Sequence, residues 1–437
     1  MVQSHAKNII KYVVPTMLSN VCFFLFTIVD GIFIGHGVGA NGLGAINLAF
    51  PFVMVVNALF LLSTIGGVTI VAIRLGRGDK EGANQAFMHA VLINITFAVI
   101  LCILGVFFHN PICTLLGAND TFHELATEYL FWYAIFIIPS GLSILLQGFC
   151  RNDGSPVLVT VAVIVSTLCN IVGDWLLIFP LQMGLTGAAV ATGISQTIGF
   201  LVVLPHYFLK KGDLCFRRFQ IQSGLLKKIV VRGLPEGISQ LATPVTTLCM
   251  NLVLAQKIGD IGINAFSLLS YVTSFSTALF FGTGEGLQPL FGQSYGAKKE
   301  DDLKFYFHVG LGINLIGSIF VTILLVFIGG GVCRLFGADE ATLQFTVKSM
   351  PHYAWGFVVM SVNVMISAYL YSTKRSREAI IINVLRSFAV NSLVILALPA
   401  LFGASVVWYT FGVYEILVLI VAVILLRNTE RNGIIYR

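Results

Sequence analysis

The chain has 437 residues, of which 57% are hydrophobic and only 11% charged, with a mean hydropathy of +0.90. Soluble domains run near 45–50% apolar and about 25% charged, so this composition excludes a soluble protein, which would have too little polar surface to stay in water. The formal net charge of +6 does not point to nucleic acid, because the cations sit in short connections between apolar runs, where they report membrane topology.

Apolar runs near the length that crosses a bilayer core recur along the chain. The predicted spans are 11–35, 45–73, 86–108, 125–149, 156–180, 185–209, 232–256, 264–293, 305–328, 342–371, 379–401 and 406–427. Pro15, Pro51, Pro139 and Pro235 fall inside spans, which membrane helices tolerate because neighbouring helices re-satisfy the freed backbone groups. The run after the short polar start is longer than a signal-peptide core and has no small-residue cleavage site, so it reads as a retained first helix. With the N-terminus inside, 22 of the 26 Lys and Arg fall in inner segments, and only Lys257 and Arg334 in outer loops. That bias predicts both termini in the cytoplasm and an even number of spans.

A shift of 220 residues lays the chain on itself. Pro15 meets Pro235, Gly76 meets Gly296, Phe87 meets Phe307, Asn94 meets Asn314 and Tyr133 meets Tyr353. The stretch from Ile112 to Asp120 meets that from Val332 to Glu340, sharing Cys, Gly, Ala and an acidic turn in one register. The expected organisation is a six-helix lobe over 1–212, a basic linker over 213–231 and a second six-helix lobe over 232–437. Six spans per half make the repeats parallel, related by an axis along the membrane normal, as in transporters that rock one half against the other. The linker cations are expected to be solvated and to face lipid headgroups.

The eight cysteines form no CxxC pair and read as small buried hydrophobes, and the histidines show no metal-ligand spacing. No Walker A, GxSxG, HExxH or dinucleotide fingerprint occurs, so neither an enzyme nor direct use of ATP is expected. A membrane-embedded enzyme would need a metal or nucleophile cluster among the spans.

Four acids look embedded: Asp30, Asp174, Glu285 and Glu415. An ionisable group at depth costs at least about 2.5–3.5 kcal/mol on insertion scales and usually faces a cavity. Asp30 and Asp174 each lie five or six residues from the outer end of a span, about 8–9 Å below the surface, so they can share a site. Asn170 lies one turn from Asp174 on the same helix face, and Thr192 enters from the sixth span. Two carboxylates, an amide and a hydroxyl make an oxygen-rich pocket for protons or Na⁺, and two adjacent carboxylates resist joint ionisation. The repeat does not copy this site, since Asp30 maps onto Met250 and Asp174 onto about Val394. Glu285 sits in Gly282 to Pro289, whose glycines and proline predict an irregular helix lining a cavity. Glu415 has no evident polar neighbour, and Arg386 is the one cation that reads as lying at depth.

The segments Phe26 to Gly35 and Gly44 to Pro51 resemble the first-helix signature of the multidrug and toxic-compound extrusion (MATE) family. Gly184 to Thr192 resembles the start of its sixth helix. Gly286-Leu287-Gln288-Pro289 followed by Tyr295-Gly296-Ala297-Lys298 resembles the end of its eighth. The resemblance covers nearly the whole chain and has the flavour of the bacterial MepA-like branch. It implies an all-α polytopic protein with twelve transmembrane helices in two pseudo-symmetric six-helix lobes. It also implies drug export driven by H⁺ or Na⁺ without a cofactor. By match, Asp30, Asn170, Asp174 and Thr192 fall on the family's first-lobe cation site, where Asp30, Asn170 and Asp174 would hold Na⁺ if sodium is the coupling ion. Glu285 matches an embedded acid of that branch, with Gln288 beside it, and with Asp174 they are the candidate substrate contacts. Some members carry a second-lobe acid where this chain has Thr243, which leaves no acid there for a second-lobe Na⁺ site of that kind.

The expected function is antiport of drug-like organic cations across the cell membrane of a bacterium, by a protein touching lipid but no nucleic acid, with no feature that demands more than a monomer. The alternative is a flippase for lipid-linked or cell-wall precursors, which would want more cations in the cavity than Arg386 alone.

Overall fold

A computed structural model describes residues 2–116, 120–240, 242–335 and 340–431, and these are helical almost throughout, with no strand. The first half holds α1 (Val2–Gly37), α2 (Ala40–Gly76), α3 (Lys80–Phe107), α4 (His109–Leu115), α5 (Asp120–Ile135), α6 (Ile137–Asn152), α7 (Pro156–Ile178) and α8 (Gly184–Phe208). The second holds α9 (Ser223–Gln240), α10 (Ala242–Lys257), α11 (Asp260–Gly296), α12 (Glu300–Leu335), α13 (Glu340–Ala354), α14 (Gly356–Ser372) and α15 (Ser376–Val384). A π-turn (Leu385–Ala389), α16 (Val390–Phe402), a 3₁₀ turn (Ala404–Tyr409) and α17 (Thr410–Arg431) complete it.

Among the described residues ten helical stretches are long and apolar enough to cross a bilayer, and two bent pairs, each taken as one span, bring the number to twelve. The pairs are His123–Ile135 with Ile137–Asn152, bent by 53°, and Glu340–Ala354 with Gly356–Ser372, bent by 43°. Proline accounts for the first bend: Pro139 has no N–H to return to the carbonyl of Ile135, four residues back, and the helix breaks there. Tight i→i−3 bonds close both breaks, Phe136 N–H to Tyr133 and Val358 N–H to Trp355. The chain is a multi-pass, all-helical membrane protein.

The 220-residue repeat extends to the helix ends. Starts at Ala40, Lys80, Asp120 and Pro156 recur at Asp260, Glu300, Glu340 and Ser376. The turn before α2 places Gly39 at φ 89°, and its counterpart Gly259 also has φ 89°. Gly154 and Lys374, again 220 apart, share a positive φ, which costs the lysine but not the glycine. Part of the Cys-Gly-Ala match, 117–119 and 336–339, lies outside the described residues, as does the side chain of Thr243.

The π-turn shifts the register. Ser387 within it and Asn391 beyond it match Ser166 and Asn170 of the first half in burial at an offset of 221, because the wider turn absorbs one extra residue. The counterpart of Asp174 is therefore Ile395 rather than Val394.

By contact the chain divides into two compact units, Ala6–Gly237 and Ile238–Arg437 with Met1–His5. In the first unit Phe87 stacks on Tyr207 at 5.1 Å and meets Phe149 edge-on at 5.0 Å, within one apolar core. The second unit has its own core, from Cys249 through Phe280 and Tyr353 to Tyr414. Cys113, Cys150, Cys215, Cys249 and Cys333 are buried free thiols.

The basic linker is fastened to the first unit. The Asp153 side chain is buried, pairs with His206 at 2.9 Å, and accepts the backbone N–H of Asp213 and Leu214. Asn84 accepts the N–H of Cys215 and His89 that of Gln222. The side chains of Lys210, Lys211, Arg217 and Arg218 remain exposed. Charge-assisted hydrogen bonds are worth about 1.5–3 kcal/mol each. Asp153→Ala is therefore expected to raise the tryptic cleavage rate at these four sites by about 10–100-fold, through local opening. A cleavage rate equal to that of the natural protein would show that Asp153 does not hold the linker.

Candidate functional site

Four of the sequence-predicted residues meet in the first unit. Asp30 lies one turn before Ile34 on α1, and Asp174 one turn before Ile178 on α7. Both isoleucines are buried in one small core, with Leu130 of α5 and Leu185 of α8. Since residues four apart share a helix face, packing Ile34 and Ile178 into that core turns both aspartates toward each other. The helices can approach because Gly37 ends α1: a methyl at Gly37 would stand 2.1 Å from Ile178 Cγ2.

A seam of small residues brings in the rest. A methyl on Gly173 would meet Ala191 Cβ at 3.1 Å, and one on Gly187 would meet the backbone of Leu177 at 3.1 Å. Small residues allow such close contact between membrane helices. Across this seam the Asn170 amide donates to Thr192 Oγ1 at 3.4 Å.

The two carboxyl groups lie within hydrogen-bonding reach of each other, and the Asn170 amide within reach of Asp174. Asp174 is 0% exposed. Neither of its oxygens receives a hydrogen bond of ordinary geometry, and the same holds for Asp30 Oδ1 and Asn170 Oδ1. A buried carboxylate without a donor or counter-charge is strongly disfavoured, so this arrangement calls for a proton or a small cation. The oxygens of Asp30, Asn170, Asp174 and Thr192 are the donors available to one. No group of three or more His, Cys, Asp or Glu placed to hold a metal ion occurs among the described residues.

Tyr129 was not among the candidates read from the sequence. Its phenol lies within electrostatic reach of both Asp30 and Asp174 and stacks on Tyr133 at 6.2 Å. Only the repeat match of Tyr133 with Tyr353 hinted that this helix carries polar aromatics.

Glu285 and Gln288 belong to the second unit. The irregular helix expected there is absent: Gly282 to Pro289 lie within the continuous helix α11. Gly284 serves packing instead, as a methyl there would meet Ala368 of α14 at 3.1 Å. Glu285 is half-buried and Gln288 buried.

The expectation that Glu415 lacks polar neighbours is overturned. Glu415 is buried and pairs with Arg386 Nε at 2.8 Å, while Asn363 Nδ2 donates to its other oxygen at 2.7 Å. The three residues come from α17, the π-turn and α14, so no local spacing could reveal them. At the positions matching Asp30 and Asp174 this unit has Met250 and Ile395, both buried in its core.

A MatE family model matches residues 15–176 and again 235–396, at the spacing of the repeat. The multidrug export protein MepA of Staphylococcus aureus (strain bovine RF122 / ET3-1) is 25% identical over 430 residues, covering 96% of this chain and 93% of that protein. A crystal structure of MATE in complex with MaL6 has a TM-score of 0.92 at 22% identity, covering 98% of this chain and 96% of its own. A Vibrio cholerae MATE transporter has a TM-score of 0.92 at 19% identity, covering 99% and 98%. Matched twice over most of its length by the family model, the chain belongs to the MatE family.

Proposed function

We propose that this protein is a secondary exporter of the cell membrane that moves lipophilic, mostly cationic compounds outward in exchange for H⁺ or Na⁺. The observation that carries the reading is the pairing of Asp30 with the buried Asp174, present in one repeat and replaced by Met250 and Ile395 in the other. Asp30, Asn170, Asp174 and Thr192 hold the coupling ion, and Glu285, Gln288 and Asp174 contact the organic cation. Binding of the ion to the pair biases the outward-open and inward-open states differently, as coupling requires. Both termini face the cytoplasm, from the 22 inner cations. The name of the MepA relative, a multidrug export protein, supports the substrate class.

The flippase alternative needs free positive charge for an anionic headgroup. Arg386, the cation at depth, already has Glu415 as its partner, which counts against that reading.

Proteoliposomes loaded with a fluorescent lipophilic cation test the proposal. A pH gradient or a Na⁺ gradient, imposed separately, is expected to drive efflux, and the effective gradient names the coupling ion. No cation movement under either gradient would sink the exporter reading and favour lipid-linked substrates.

A further inference from the structure

Buried ion pairs rarely stabilise a fold more than apolar residues of the same size would, because desolvation offsets the attraction. The Arg386–Glu415 pair therefore asks for another explanation. Its side chains are 15% and 1% exposed. The three polar residues lie nine to fourteen residues from the same ends of their spans, about 13–21 Å deep, well inside the apolar layer. Arg386 sits on the π-turn, where the second repeat carries an extra residue. Such turns are rare and concentrate at functional sites.

The ligands around Glu415 resemble those around Asp174 in kind. Asn363 is fully buried, its amide nitrogen holds Glu415, and its Oδ1 has no hydrogen-bond partner. In the first unit Asn170 is likewise buried with its Oδ1 unpartnered beside Asp174. Each lobe thus places a buried carboxyl beside an amide oxygen. The lobes differ in what neutralises the carboxyl: a second carboxyl that must share a proton or cation in one, a guanidinium on the same chain in the other.

We propose that the second lobe contains a monovalent-cation site, built on Glu415 and Asn363, that Arg386 keeps filled with its own guanidinium. Among the described residues, the phenols of Tyr353 on α13 and Tyr414 on α17 also lie within electrostatic reach of Glu415. Neither offers a positive charge, so removing the guanidinium leaves Glu415 to recruit a cation from solution. The consequence for the exporter is that only the first lobe exchanges its cation, while the second carries a fixed one. That consequence rests on the exporter reading; the cation site itself does not.

The test is thermal unfolding of the purified full-length protein in detergent, for the natural sequence, Arg386→Ala and Arg386→Ala/Glu415→Gln, titrated with guanidinium chloride at low millimolar concentration or with NaCl. Choline chloride holds ionic strength constant. A cation that binds only the folded state raises Tm as its concentration passes Kd. The expected result is a saturable Tm rise of Arg386→Ala with guanidinium or Na⁺ beyond any rise of the natural protein, whose first-lobe carboxyls can also take Na⁺, while the double variant, its Glu415 charge gone, responds no more than the natural protein. If Arg386→Ala yields folded protein only when guanidinium is present during purification, the inference stands. If no cation raises its Tm or its yield, or if the double variant responds equally, the inference is overturned. No transport enters this readout, so failure of the exporter reading appears separately, in the proteoliposome assay.

Discussion

Asp174→Asn is expected to lower gradient-driven export about 5–150-fold while leaving the protein folded. The substitution keeps side-chain volume, so the packing of α7 against α1 and α8 is retained. It removes the group that must take up and release the coupling ion. The carboxyl is fully buried without a donor of ordinary geometry, and a neutral amide is cheaper there than an ionised acid; Tm should be unchanged or slightly higher. A lost coupling free energy of the usual size lowers gradient-driven efflux about 5–150-fold. Asp30→Asn is expected to act in the same direction. Thr192→Ala removes only the hydroxyl facing Asn170 at 3.4 Å and should cost at most about tenfold, the worth of one hydrogen bond. Initial efflux rates in proteoliposomes, beside Tm in detergent, measure both effects. Export by Asp174→Asn at the natural rate would remove Asp174 from the coupling mechanism.

The second large effect concerns the crossing of α2 and α9. A methyl on Gly66 would stand 2.0 Å from the carbonyl oxygen of Ile229, and one on Gly233 would stand 1.8 Å from that of Leu62. Ile229 precedes Gly233 by one turn and Leu62 precedes Gly66 by one turn, so each glycine lies on the backbone of the other helix. Backbone cannot rotate aside as a side chain can. Lipid provides no hydrophobic drive between helices, and their association depends on this close contact. Gly66→Ala and Gly233→Ala are each expected to cost more than about 3 kcal/mol, beyond the usual penalty of overpacking, and to yield little monodisperse protein. Gly312→Ala and Gly317→Ala on α12, with nothing within 4 Å of the added methyl, are the controls. They should be neutral or stabilising by up to about 1 kcal/mol, from helix propensity. Size-exclusion profiles and Tm decide, and a natural Tm for Gly233→Ala would show that the two helices do not cross in backbone contact.

Membrane class, twelve spans, the 220-residue repeat and the candidates Asp30, Asn170, Asp174 and Thr192 were all legible in the amino-acid sequence. Each rests on a local quantity: the apolar length that bilayer thickness demands, the position of an acid within a span, or the residue types recurring at one offset. Whether Asp30 and Asp174 meet is not local. It depends on how α1 and α7 rotate about their axes, which the burial of Ile34 and Ile178 in a core shared with α5 and α8 decides, and on a glycine at the crossing. The Arg386–Glu415–Asn363 cluster draws on three separated segments, so tertiary packing alone assembles it. Gly282 to Pro289 stay within one helix, in which Gly284 packs closely against Ala368 of α14. The π-turn lies between these cases: the inserted residue is in the sequence, but apolar residues at neighbouring offsets match almost equally well. Only the helix geometry shows that Asn391, and not its neighbour, stands in the place of Asn170.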